Sequence, residues 1–194
     1  MTVSAKGVST LLDATFLWKW ATAYEKEELF PGCLEDRLFT SIGPAAKTRG
    51  YLTKNDLEQI GTWKSRGRNN HLLNSNTDAD IETLTGMALG APDHLRHCVL
   101  SILDGVRTPM ASAILTVVDP DRFTVIDVRA IAAFDDLRRL GLVGPSLLLH
   151  KEGQFPPYHE YLECCRRMAS EFGIGLRTLD RALWKWNASE MPCP

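Results

Sequence analysis

The stretch from Leu103 to Arg129 constrains the fold of this chain most, because it specifies several elements in a fixed order. A glycine-containing turn at Asp104–Arg107 is followed by Thr108, which can act as an N-cap, and by Pro109, which suits the first helical position. Apolar residues then repeat at helical spacing until Asp119-Pro120 interrupts the pattern. The order is therefore helix, turn, helix and break.

A carboxylate follows this break. Phe123–Ile126 is the only strand-like segment of the chain, and Asp127 comes directly after it as a candidate N-cap of another helix. We expect the Asp127 carboxylate to face back toward the turn.

Helical periodicity and Gly or Pro breaks divide the rest of the chain into further helices. These are residues 9–29, Leu34–Ile42 with a stop at Gly43-Pro44, a helix after the Thr53 cap, Asp78–Leu89, a helix that Pro92 opens, Ala130–Leu140, Tyr158–Phe172 and Leu176–Trp186. Residues 142–157 are a looser stretch. We therefore predict an all-α fold of roughly eight to ten helices.

The order of residues in Leu103–Arg129 resembles the helix-hairpin-helix DNA glycosylases, a base-excision superfamily. The motif of that superfamily reads roughly L-P-G-V-G-x-x-T-A, followed by a hydrophobic helix and V-D-x-x-V. Four residues fill the hairpin positions without gaps: Leu103, Gly105, Val106 and Ala111. Asp127 falls on the catalytic aspartate of the family. The resemblance implies a two-lobed helical bundle, with one domain over residues 1–194, the hairpin at residues 92–118 and the terminal helices in the second lobe.

Two positions depart from the family pattern. Arg107 replaces the second hairpin glycine, and Pro109 stands where the bifunctional members carry a Schiff-base lysine. Proline cannot attack C1′ of the sugar, whereas a lysine amine can. The resemblance therefore implies a monofunctional enzyme that uses water and leaves an abasic site.

The hairpin itself is a candidate DNA-binding element made of Gly105, Val106, Arg107 and Thr108. Such a turn exposes backbone N–H groups, and the following helix adds the positive end of its dipole, so that together they can bind a phosphate. The Arg107 guanidinium can reach the same phosphate, although a positive φ at this position would be costly for Arg. The alternative is a simple corner between two helices, with Arg107 solvated.

The most basic short window of the chain, WKSRGRNNH at Trp63–His71, is expected as the tail of the helix that follows Thr53. Lys64, Arg66 and Arg68 are its candidate contacts to DNA phosphates. The alternative is a solvated helix end, which is a common meaning of such a charge cluster.

Asp127 is the candidate catalytic residue. Cleavage of an N-glycosidic bond builds positive charge on the sugar, and a carboxylate near C1′ can stabilise this charge and accept a proton from the attacking water. The alternative is that Asp127 only caps a helix. A binding module that kept the fold and lost the chemistry, acting on DNA or within a protein complex, is therefore a second hypothesis, and an unrelated helical enzyme is a third.

Composition limits the partners. The chain has 194 residues and a net charge of −2, so that any contact with duplex DNA must come from a local basic face. Its five cysteines have no regular spacing, which argues against an iron–sulfur cluster and favours a reducing compartment. No metal-ligand cluster, cofactor motif, membrane span or signal peptide is evident, so we expect no metal, no cofactor, no membrane partner and a cytoplasmic location.

Overall fold

The computed structural model describes residues 13–139 and 155–190. Within these ranges the chain forms eleven α-helices and one π-helical turn and has no β-strand, which confirms the all-α prediction. The elements are α1 (Ala14–Glu28), α2 (Leu34–Arg37), the π-helical turn (Leu38–Ile42), α3 (Gly43–Arg49), α4 (Lys54–Ser65), α5 (Asn70–Leu73), α6 (Asp78–Gly90), α7 (Asp93–Leu100), α8 (Thr108–Val118), α9 (Val128–Arg139), α10 (Tyr158–Phe172) and α11 (Leu176–Glu190).

Local capping explains where several helices begin. At α4, the Thr53 side chain accepts from the Asp56 amide while the Asp56 side chain accepts from the Thr53 amide, and Thr77 and Asp80 form the same reciprocal pair at α6. Each pair satisfies backbone donors that have no partner within the helix. The predicted starts of these two helices are confirmed. The predicted end of α9 at Leu140 and most of the looser stretch at 142–157 lie outside the described residues.

The predicted stop at Gly43-Pro44 is wrong, because the chain stays helical from α2 through α3. Gly43 has helical dihedral angles, and its amide donates to the carbonyl of Leu38 in a wide, π-type turn. Pro44 is the second residue of α3, and proline is tolerated in the first turn of a helix. Gly43 also packs so closely against α8 that an added Cβ would overlap the carbonyl oxygen of Val117. The glycine thus permits a close helix contact instead of ending a helix.

Helix α8 is buried on every side. All of Met110–Val118 is buried, and α8 packs against α3, α4 and α7. The two polar side chains within Met110–Val118 are satisfied locally: Ser112 donates to the carbonyl of Pro109 (2.8 Å) and Thr116 to that of Ser112 (2.7 Å). Such a helix forms the core of its unit.

The predicted break after α8 is confirmed, and the segment beyond it is an irregular connector. Helix α8 ends at Val118, and Phe123–Ile126 is buried but forms no strand. The β-branched composition that suggests a strand serves burial here, because no strand in the described part of the chain is available to pair with it.

The helices belong to two compact units. Leu29–Val125 forms the first, which contains α2 to α8 and which we call the central unit. The residues before Leu29 and after Val125 form the second, which we call the discontinuous unit and which contains α1, α9, α10 and α11.

Helix α11 organises the discontinuous unit by packing along α1 and α9. Phe16 meets Trp186 edge to face with ring centres 5.6 Å apart. The Lys185 ammonium donates to the Glu27 carboxylate over 2.6 Å, and this hydrogen bond raises the pKa of Lys185. Apolar burial and charge pairing thus join helices that are distant in sequence.

Candidate nucleic-acid interface and catalytic carboxylate

The turn between α7 and α8 is compact. The amide of Val106 donates to the carbonyl of Leu103 (3.1 Å), and both of these side chains are buried. Gly105 has a φ of +77°, which L-residues rarely adopt. The left-handed backbone at position 105 therefore explains why this turn carries a glycine.

A neighbouring segment holds the turn in position. The Asn76 side-chain amide donates to the carbonyl of Asp104 (3.0 Å), and its oxygen accepts from the Asp104 amide (2.9 Å). An added Cβ on Gly105 would lie 2.8 Å from the Cβ of Leu72 and 3.1 Å from the amide nitrogen of Leu73. The backbone of the turn is thus held at Asp104 by hydrogen bonds from the Asn76 side chain and at Gly105 by close packing against α5.

Sequence analysis did not identify Asn76. The residue is buried, and its side chain also donates to the carbonyl of Leu73 (2.9 Å). The Lys54 ammonium donates to the carbonyls of Asn74 and Asn76 (3.1 Å each), which holds the loop that carries Asn76. No local pattern indicates this pairing, because Asn76 and Asp104 are separated by 28 positions.

Arg107 is exposed at the end of the turn with extended dihedral angles (φ −101°, ψ 177°). The expected strain of an arginine at the second hairpin glycine is therefore absent. Helix α8 begins at Thr108, so Arg107 is the N-cap residue and Pro109 the second helical residue, which corrects the predicted start by one position. In the described part of the chain, the amides of Gly105 and Arg107 donate to no protein acceptor.

An acidic side chain also lies at this turn. Asp104 is exposed, and its carboxylate accepts a hydrogen bond from the Ser75 hydroxyl (3.2 Å). A carboxylate opposes the binding of a phosphate, whereas Arg107 favours it. The turn is therefore of mixed charge.

The basic window does not form the tail of a helix as predicted. Helix α4 ends at Ser65, Arg66 takes a left-handed conformation (φ 53°, ψ 35°), and Gly67 follows with a φ of +75°. Arg66 is the one non-glycine residue with positive φ in the described ranges. The window therefore spans the end of α4, a turn at residues 66–69 and the start of α5.

The window and the turn lie in the same unit. Arg66 and Arg68 are exposed and Lys64 is partly buried, and the guanidinium of Arg68 donates to the carbonyl of Ser65 (3.1 Å). Helix α5, which begins within the window, carries the Leu73 that Gly105 approaches. Seven predicted DNA contacts thus belong to the central unit: Lys64, Arg66, Arg68, Gly105, Val106, Arg107 and Thr108. Val106 is buried, so that only its backbone is a candidate for such a contact.

Asp127 belongs to the discontinuous unit, where it precedes α9. Its carboxylate accepts from the amide of Ala130 (2.9 Å), and its carbonyl accepts from the amide of Ile131 (3.0 Å). The predicted N-cap role is therefore confirmed. The Asp127 side chain is partly exposed, so a carboxylate oxygen that caps the helix coexists with access from solvent.

A buried phenol on α10 has a raised pKa. Burial raises the pKa of Tyr161 most, its interactions with Cys165 raise it further, and the negative charges of Asp180 and Asp127 add to the shift. Tyr161 also packs edge to face against Phe134 of α9, with ring centres 5.6 Å apart. The phenol therefore keeps its proton well above neutral pH.

Among the described residues, neither the cysteines nor any group of metal-ligating side chains forms a further site. Cys33, Cys98, Cys164 and Cys165 are free thiols, and three of them are buried. Over residues 13–139 and 155–190, no group of three or more His, Cys, Asp or Glu side chains is arranged to hold a metal. The helices within these ranges are also too short or too polar to span a membrane.

In comparisons with known proteins, no family model, no curated protein and no solved structure matches this chain. The similarity of Leu103–Arg129 to the helix-hairpin-helix glycosylases stays a prediction from the sequence.

Proposed function

We propose that this chain is a monofunctional DNA N-glycosylase that removes a damaged or modified base. The observation that carries the proposal is the turn between α7 and α8. Its amides at Gly105 and Arg107 have no acceptor among the described residues, and an exposed arginine follows them. Backbone N–H groups beside a guanidinium suit a phosphate and read no base, as an enzyme that scans duplex DNA requires.

The support of the turn strengthens this proposal. Asn76 hydrogen-bonds both the amide and the carbonyl of Asp104, and Gly105 packs against α5 without room for a side chain. A surface that is already ordered before binding loses less conformational entropy when a ligand arrives. The turn therefore has the rigidity that suits a phosphate anchor.

In the proposed reaction, Asp127 acts on a nucleotide that has been flipped out of the duplex, which costs least for a damaged base. The water oxygen forms a bond to C1′, and the bond between C1′ and the base nitrogen breaks, with its electron pair leaving on the base. Asp127 stabilises the positive sugar and accepts the proton of the water. Because Pro109 has no amine, the strand is not cleaved and an abasic site remains.

The experiment uses oligonucleotide duplexes that carry different damaged or modified bases, followed by alkali to cut at abasic sites. We expect the parent protein to release at least one of these bases. We expect Asp127→Asn to lower the rate of release by at least about 100-fold, since it removes the charge and the general base. The asparagine can still accept the hydrogen bond from the Ala130 amide, so the variant should remain folded and keep its affinity for DNA.

A binding module without catalysis, acting on DNA or within a protein complex, is the second candidate, and the exposed Asp104 at the turn favours its protein-binding form. This carboxylate and the net charge of −2 both weaken the electrostatic attraction between the chain and duplex DNA. Affinity for duplexes without release of any tested base would support the module. Absence of any salt-sensitive affinity for DNA would contradict the enzyme and a DNA-binding module, and it would favour a protein-binding module or an unrelated helical enzyme.

The cellular compartment is part of the proposal. Four free thiols in the described part of the chain, at irregular spacing, are typical of a reducing environment such as the cytoplasm.

A further inference from the structure

The start of α9 carries a cation whose orientation is fixed by an aromatic ring. The guanidinium carbon of Arg129 lies 5.1 Å from the ring centre of Trp184, which belongs to α11. Both side chains are partly exposed. A guanidinium over an indole ring gains a cation–π interaction, and its in-plane N–H groups remain available to a further acceptor.

The ring under Arg129 is itself held by its neighbours. Trp184 meets Tyr24 of α1 edge to face, with ring centres 5.5 Å apart. Helix α11 packs along both α1 and α9, so the Trp184 ring has a defined position against these helices. Arg129 therefore needs little further ordering when it binds a ligand.

A second arginine of this unit, on α11, also lies against an aromatic ring and can be compared with Arg129. Arg181 lies 5.7 Å from the ring centre of Tyr24, but its guanidinium also pairs with Glu25 over 2.8 Å. For Arg129, no carboxylate among the described residues lies within ion-pair distance. Among the described residues, Arg181 is thus paired with a carboxylate and Arg129 is not.

Arg129 is also close to the candidate catalytic residue. Two consecutive Cα–Cα steps separate it from Asp127, so their Cα atoms are at most about 7.6 Å apart. A role for Arg129 in binding requires that a phosphate flanking a nucleotide whose C1′ lies at Asp127 comes within reach of the Arg129 side chain. The positive charge of Arg129 would then also offset the repulsion between that phosphate and the Asp127 carboxylate.

We propose that Arg129, oriented by Trp184, is a positioning residue that binds a DNA phosphate next to the sugar on which Asp127 acts. The inference rests on the proposed function, and it adds a phosphate contact in the discontinuous unit to those proposed for the central unit. The ligand is a phosphodiester of the strand that carries the flipped nucleotide.

The test measures the affinity for a short duplex that contains a stable abasic-site analogue, over a series of salt concentrations. The slope of log K against log salt is negative, and each phosphate contact that is lost lowers its magnitude by about 0.9. We expect this decrease for Arg129→Ala, together with weaker binding. Arg129→Lys keeps the charge but not the planar stack on Trp184. It should therefore show the slope of the parent protein and an affinity between those of the parent and Arg129→Ala.

Arg181→Ala is the matched control, because it removes a stacked arginine that is already paired with Glu25. It should leave the salt slope unchanged. Trp184→Leu should keep the slope and weaken the binding, since the cation remains and its orientation is lost. Thermal unfolding of all variants separates these effects from a loss of folding, and a purely structural Arg129 would move the unfolding temperature without moving the slope.

The outcomes separate this inference from the proposed glycosylase activity. An unchanged slope for Arg129→Ala in a protein that does release a base would overturn the role of Arg129 and leave the enzyme in place. A lowered slope in a protein that releases no base would support Arg129 and contradict the enzyme. Equal decreases for Arg129→Ala and Arg181→Ala would show a general charge effect and overturn the inference.

Discussion

At the scale of single residues, Gly105 is a position where both the backbone conformation and the packing require glycine. Its φ of +77° disfavours any side chain, and the space where a Cβ would lie is occupied by Leu72 and Leu73. Gly32 has almost the same dihedral (φ +78°) but no heavy atom within 4 Å of an added Cβ. Substituting each of the two glycines therefore separates the free-energy cost of a left-handed side chain from the cost of overpacking.

We predict that Gly105→Ala lowers the free energy of unfolding by about 2 to 4 kcal/mol, the sum of a left-handed alanine and an overpacked contact. Gly32→Ala should cost only the conformational part, about 1 kcal/mol. Urea unfolding of both variants measures the difference. Similar losses for the two would mean that Leu72 and Leu73 move aside at little cost.

At the scale of secondary-structure elements, the contact between α3 and α8 depends on one glycine. Gly43 lies against the backbone of Val117, and a backbone carbonyl cannot rotate away as a flexible side chain can. Any side chain at position 43 must therefore separate two helices, one of which is the buried core of the central unit.

We predict that Gly43→Ala lowers the free energy of unfolding by about 3 kcal/mol, because a methyl group is forced into a close-packed helix contact. Gly90, the last residue of α6, is the matched control, since nothing lies within 4 Å of an added Cβ there. Gly90→Ala should keep the stability or raise it by up to about 1 kcal/mol through helix propensity. Chemical denaturation of the pair tests this, and a neutral Gly43→Ala would contradict the close contact.

At the scale of the whole molecule, two buried groups that can lose a proton, Cys165 and Tyr161, make the free energy of unfolding fall at alkaline pH. Burial raises the pKa of Cys165 well above its ordinary value, against the opposing effect of its hydrogen bond with Tyr161. Burial also raises the pKa of Tyr161. Each group keeps its proton in the folded chain under conditions in which the unfolded chain releases it.

We therefore predict that the free energy of unfolding falls as the pH rises above about 8.5, where unfolded cysteines begin to ionise, and more steeply above about 10, where unfolded tyrosines do. Each of the two protons contributes a slope of up to about 1.4 kcal/mol per pH unit. The stability provided by these groups is complete below this window. Denaturation at several alkaline pH values measures the decline.

Cys165→Ala serves as the control for this pH dependence. The alanine has no proton to release, so the decline should begin later, near the ionisation of unfolded tyrosine. An unchanged decline in this variant would assign the alkaline instability to other groups.

Much of the helical layout could be predicted because its determinants are local. The capping pairs at Thr53 and Thr77, the break at Asp119-Pro120 and the cap at Asp127 each act within three or four residues of the chain. The same locality misled the interpretation of Gly43-Pro44, where a pair that usually ends a helix is accommodated by a π-helical turn and a close contact with α8.

The candidate site divides in the same way. Sequence alone determined an all-helical chain, a turn that requires glycine at position 105 and a carboxylate that caps α9, because hydrogen bonds and periodicity between near neighbours encode these features. Only the tertiary structure brought Asn76 to the backbone of Asp104 and Trp184 beneath Arg129. These contacts join residues that are far apart in the chain, and their partners are selected by how the helices pack, which no local pattern specifies.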